Sequence, residues 1–123
     1  MPVIHMVGMT CSPETEERFN KWYNEKHVPG LMKFKGIKRA TRYRLVRTAK
    51  GAPGVNPSPA GAGQEGYPQY LAIYEFEDRA AFERYEKSPE AAAAREDWSS
   101  AKEEIAAEML WRVQYESIKT WGE

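Results

Sequence analysis

One cysteine in 123 residues leaves no internal disulfide to form, which fits a reducing compartment. The chain has two histidines, His5 and His27, far apart, and with Cys11 they match no zinc-ligand spacing. We therefore expect no metal and no resident cofactor. No charged leader precedes a long apolar run at the N-terminus, so no signal peptide is expected. No apolar stretch approaches membrane-spanning length, and a soluble cytoplasmic protein is the expectation. Eighteen basic and eighteen acidic side chains cancel, which gives no reason to expect nucleic acid or a membrane as partner.

Two apparent motifs fail on context. Gly61-Ala62-Gly63-Gln64-Glu65-Gly66 matches G-x-G-x-x-G in letters, but a Pro-rich segment precedes it and Tyr67-Pro68 and a strand follow. A dinucleotide site needs a strand before the run and a helix after it, because the helix N-terminus holds the pyrophosphate. Asn56-Pro57-Ser58 is no glycosylation acceptor, because proline fills its middle position.

Charge and aromatics are the features present in excess. From Lys33 to Lys50 there are eight Lys or Arg and no Asp or Glu. That run reads either as a solvated basic strand or as a surface for an anionic small molecule or an acidic partner. Four Trp, seven Tyr and four Phe exceed what a small two-layer core needs, so some should line a pocket or a subunit interface.

The length fits one domain, 1–123. Val3 to Thr10 reads as a buried strand. Ser12-Pro13 reads as N-cap and first position of a helix to about His27, with Phe19, Trp22, Tyr23 and His27 on one stripe. Pro29 marks its end. Ile37 to Thr48 alternates as a strand that places Ile37, Thr41 and Tyr43 on one face and Arg42 on the other. Between it and the next strand, the Gly/Pro-rich connection at 49–67 reads as a lid or a featureless excursion. Gln69 to Glu77 is a strand with Tyr70, Ala72, Tyr74 and Phe76 on one face. Asp78 and Ser88-Pro89 then start two helical runs, the second reaching Trp98 and a turn or two beyond. Met109 to Lys119 alternates Trp111, Val113 and Tyr115 against Arg112, Gln114 and Glu116. The order β-α-β-β-α-β is that of a ferredoxin-like α+β sandwich with an antiparallel sheet. Strands apolar on both faces call for a second copy over the open face, that is, a homodimer.

His27 is the strongest candidate for chemistry. At a helix C-terminus the dipole favours the imidazolium, so it could act as a general acid or base, or it could simply cap the helix. His5 in a buried strand fits a core residue as well as a ligand contact. Cys11 precedes a helix N-terminus, where a thiolate is stabilised, and fits a bystander thiol equally. Trp22, Tyr23, Tyr74, Trp98 and Trp111 could wall a flat hydrophobic or aromatic ligand, or fill the core. Tyr43 and Arg42, on a strand beside a charged rim, could orient a carbonyl or carboxylate.

The run Asn20-x-Trp22-Tyr23-Asn24-x-x-His27-Val28-Pro29, followed by Gly36-Ile37-x-x-Ala40-x-Arg42-Tyr43, resembles the EthD-like family of dimeric α+β barrel proteins. The resemblance implies a dimer of ferredoxin-like subunits, each with a pocket between sheet and helices, and a pocket-facing role for His27. It covers cofactor-free monooxygenases, polyketide cyclases, isomerases, haem-degrading enzymes and small accessory proteins, so it selects no single reaction. The leading expectation is a cofactor-independent enzyme on an aromatic, quinone-like or polyketide-like molecule. His27 would move the proton, and Tyr43 or Arg42 would stabilise the oxyanion. A non-catalytic ligand-binding or accessory protein is the alternative, and a haem protein using His5 or His27 is a second one.

Overall fold

A computed structural model describes residues 1–47 and 67–122. Apart from Tyr67, the 49–67 connection lies outside the described residues, as do the glycine run at 61–66 and Asn56. The elements are β1 (Val3–Cys11), a 3-10 turn (Pro13–Thr15), α1 (Glu16–Trp22), a π-helical segment (Tyr23–His27), α2 (Val28–Leu31), β2 (Ile37–Arg44), β3 (Tyr70–Phe76), α3 (Arg79–Glu86), α4 (Pro89–Ala101) and β4 (Ala107–Glu116). The strands form one antiparallel sheet in the order β2-β3-β1-β4. This is the ferredoxin-like α+β arrangement, with the helices on one face.

Strand alternation builds the core. Val3, His5, Val7 and Met9 of β1 face the helices with Tyr70, Ala72, Tyr74 and Phe76 of β3, and all are buried. Phe19, Tyr23 and Leu31 close over them from the first helical run, and Phe82 and Tyr85 from α3. Asp78 and Ser88 cap as expected, accepting from the amides of Ala81 at 2.9 Å and Ala91 at 3.1 Å. Ser12 does not cap. Its hydroxyl bonds the Glu14 carboxylate, and its carbonyl instead accepts from the Thr15 amide at 3.1 Å.

Two further expectations are corrected. The first helical run does not stop at Pro29 but continues to Leu31. The turn before it is widened, and the Val28 amide reaches back five residues to the Tyr23 carbonyl. The wider turn tolerates the missing proline N–H and gives its ring room. In β2 a bulge between Ile37 and Arg39 resets the alternation. Ile37, Ala40 and Arg42 therefore share the helix-facing side, and Tyr43 faces away.

The opposite sheet face carries Ile4 and Met6 of β1, Leu71 and Ile73 of β3, and Trp111 and Val113 of β4, all half-buried with no helix above them among the described residues. Gly8 lies at its centre, paired with Leu71 and Trp111. A Cβ there would come within 2.8 Å of the Trp111 indole and 3.1 Å of Pro68. Gly8→Ala is therefore expected to lower stability by about 1–3 kcal/mol through overpacking, read as a lower midpoint in urea unfolding with the slope unchanged.

Candidate functional site

A cavity of about 310 Å³ lies between the helix-facing side of the sheet and the helices. His27, at the end of the π segment, forms part of its wall, with Tyr23 and Leu31 of the same run. Trp98 and Arg95 come from α4, and His5, Tyr74 and Arg112 rise from three neighbouring strands. Of the aromatics read from the sequence, Tyr23, Tyr74 and Trp98 thus meet there with both histidines.

His27 is held from behind. Its Nδ1 lies 3.2 Å from Asp97 Oδ2, and the Trp22 indole N–H donates to Asp97 Oδ1 at 3.2 Å. The Trp22 ring stacks on the imidazole at 4.5 Å, with 23° between the planes. Burial disfavours ionisation of Asp97, but bonds from Trp22 and His27 and the charges of His27 and Lys26 outweigh it and hold the carboxyl below its usual range. Burial lowers the His27 pKa, and the Asp97 bond and charge offset this only in part. The expected imidazolium is thereby overturned: the helix runs on past His27, and desolvation governs its charge. At neutral pH the pair is a neutral imidazole donating Nδ1–H to a carboxylate, which makes Nε2 a lone-pair base.

His5 takes the opposite tautomer. Gln114 Nε2 donates to its Nδ1 at 2.9 Å, so the proton sits on Nε2. Burial and then the Arg112 charge push its pKa down to about 4. Beside it, the Tyr74 hydroxyl is buried without a hydrogen-bond partner among the described residues. Burial raises the Tyr74 pKa well above the usual tyrosine range, so it remains a donor. The neighbouring Tyr23 hydroxyl raises that pKa further, because the Tyr74 O–H is directed toward it, although the pair falls outside hydrogen-bond geometry.

The remaining candidates lie elsewhere. Arg42 bonds Asn24 and Asn20 at 2.8 and 2.9 Å and lies over the Tyr23 ring at 4.4 Å, outside the cavity. Tyr43 and Trp111 are on the open sheet face, so neither joins His27. Trp22 supports His27 from behind instead of lining the cavity. Within the basic strand, Arg39 grips Glu75 and Arg42 is engaged by the two asparagines. The Cys11 pKa is raised, first by burial and then by Glu16, with Arg42 opposing, so a thiolate is disfavoured. Among the described residues no group of three or more His, Cys, Asp or Glu is placed to hold a metal ion, and no helix is long and apolar enough to cross a membrane. Sequence reading missed Asp97, Arg95 and Met109. Asp97 carried no signal on a polar helix face. Met109 reaches the cavity side because β4 bulges opposite Gly8 and Met9.

The buried neutral histidine predicts a stability profile. The unfolded chain protonates His5 near 6.5 and the folded chain near 4, so the unfolded state binds more protons between those values. Stability is therefore expected to fall as pH drops through that window, by about 3 kcal/mol from His5 alone, with His27 acting in the same direction. Thermal unfolding across the window should show a declining midpoint, with a smaller decline in His5→Gln.

The fold is shared with solved structures. An EthD-family protein from Bacillus halodurans superposes with a TM-score of 0.63 at 16% identity, over 96% of this chain and 100% of the other. SnoaB, a cofactor-independent oxygenase from Streptomyces nogalater, gives 0.59 at 15% identity, over 99% and 98%. A dimeric protein of ferredoxin-like fold from Bacteroides fragilis gives 0.58 at 17%, over 94% and 96%. At these identities the likeness is one of fold, and the EthD-like architecture read from the Asn20–Tyr43 stretch is the one observed. No curated protein sequence matches the chain. Residues 2–109 match the model of the domain of unknown function DUF4286, and the chain belongs to that family.

Proposed function

We propose that the chain is a small cofactor-independent enzyme that moves a proton on an aromatic, quinone-like or polyketide-like molecule, with His27 as base. The supporting observation is the Asp97–His27 pair on the cavity wall, which leaves the Nε2 lone pair for the ligand. His27 would take a proton from a carbon next to a carbonyl, and the oxygen that gains charge would meet donors already in place. Tyr74 and His5 fill the oxyanion role first given to Tyr43 and Arg42, since they line the cavity and the other two do not. Apolar side chains from α4 and β1 restrict water. The likeness to SnoaB, a cofactor-independent oxygenase, agrees with this class of chemistry. A ligand carrier without turnover needs no second polar group behind the histidine, and the Asp97 contact with His27 weighs against that alternative. For haem, the His5 lone pair is engaged by Gln114, which leaves His27 as the histidine able to ligate.

Anthrone in heavy water provides a direct test. The enzyme should accelerate exchange at the methylene carbon, read by NMR. His27→Gln should slow the catalysed rate on the order of 100-fold or more. Asp97→Asn should cost a comparable factor, because an amide donating to Nδ1 would move the imidazole proton onto Nε2. Rates equal in all three proteins and in buffer would remove the proposal.

The working unit in this reading is a homodimer with the two open sheet faces packed together. The half-buried row of Ile4, Met6, Leu71, Ile73 and Val113 supports it, as does the likeness to the dimeric Bacteroides fragilis protein. Light scattering should give twice the chain mass for the wild type and one chain mass for Ile73→Lys.

A further inference from the structure

Three donors line the cavity on its sheet side, from β1, β3 and β4. Tyr74 Oη is buried with no hydrogen-bond partner among the described residues, and Tyr74 as a whole is 1% exposed. His5 lies directly opposite Tyr74 in the β1–β3 pairing and presents its Nε2–H. Arg112, two residues from the Gln114 that orients His5, lines the same cavity and has no carboxylate within ion-pair distance among the described residues. Among the described residues no aspartate or glutamate lines the cavity. A buried hydroxyl without a partner costs roughly 1–3 kcal/mol, so an acceptor that fills the vacancy regains it. Hydrogen bonds to an ionised acceptor are about twice as strong as neutral ones.

We infer that Tyr74, His5 and Arg112 together bind the ionised oxygen head of the ligand, a carboxylate or a delocalised phenolate or enolate, with its aromatic body lying between Trp98 and Leu31. Water cannot supply the charge that Arg112 matches, and a neutral amide head places an N–H against three donors. Selection at this end is therefore for acceptor-only anions. His27 Nε2 carries the imidazole lone pair on the cavity wall, so the ligand brings its removable proton there and its negative oxygen to the three donors. The inference rests on the cavity being the ligand site, and it does not require turnover.

The test uses benzoate, 2-naphthoate and anthracene-2-carboxylate, each against its own carboxamide, by calorimetry and thermal shift. At least one acid should bind about tenfold or more tightly than its amide. Tyr74→Phe and Arg112→Gln should each weaken acid binding by a larger factor than amide binding and so remove most of that preference. Tyr74→Phe keeps the ring and removes a hydroxyl with no partner, so the ligand-free protein should unfold at the same or a higher temperature. Arg112 is exposed, so its replacement should not disturb the fold. Amides that bind as well as acids, a preference that survives both substitutions, or no acid binding at any ring size would overturn the inference. His27→Gln should retain the preference for acids. Loss of anthrone exchange with that preference intact would remove the enzyme reading and leave this site standing, whereas exchange without the preference would do the reverse.

Discussion

The Asp97 carboxylate is the interaction on which the site depends. It accepts from Trp22 with one oxygen and from His27 with the other, and so ties the first helical run to α4 across the top of the sheet. Both contacts are half-buried, where a hydrogen bond to a charged acceptor has more effect than at the surface. The same two bonds fix the imidazole tautomer and its plane, with Trp22 stacked on the ring. Without Asp97, the histidine would keep its packing against Trp22 and Tyr23 but lose the bond that assigns its tautomer.

The π segment ends at that contact. A regular α-helix from Glu16 would turn Tyr23 and His27 by 100° per residue and meet Pro29 with an ordinary i−4 carbonyl. The widened turn adds a residue before Val28, which carries the chain past the proline and leaves Tyr23 and His27 in contact, with ring centroids 5.1 Å apart. Single π turns recur at functional sites because they re-aim one side chain without ending the helix. On the sheet, two bulges act similarly. One in β2 turns Arg42 toward the helices and Tyr43 away, and one in β4 brings Met109 to the cavity.

The cavity sets two histidines in opposite states. His27 donates Nδ1–H to Asp97 and keeps its lone pair on Nε2, and His5 accepts from Gln114 at Nδ1 and keeps its proton on Nε2. With the buried Tyr74 hydroxyl and the Arg112 charge, the wall combines an imidazole lone pair with several donors. Burial keeps both imidazoles uncharged near neutrality, and the polar partners decide the tautomers.

Period and punctuation alone determined the β-α-β-β-α-β order, the Asp78 and Ser88 caps and the inward row of Tyr70, Ala72, Tyr74 and Phe76, because those signals are local and each side chain's face follows from its spacing. The Asn20–Tyr43 stretch pointed to the architecture observed. The tertiary structure decided which candidates meet. Tyr43 and Trp111 fell on the open face and Arg42 behind Tyr23, whereas Asp97, silent on a polar helix, came to hold the His27 imidazole. A one-residue bulge flips a strand's faces and a π turn shifts a helix's register, and neither leaves a mark in residue spacing. Protonation was likewise settled by burial and long-range partners, which sequence position alone does not supply.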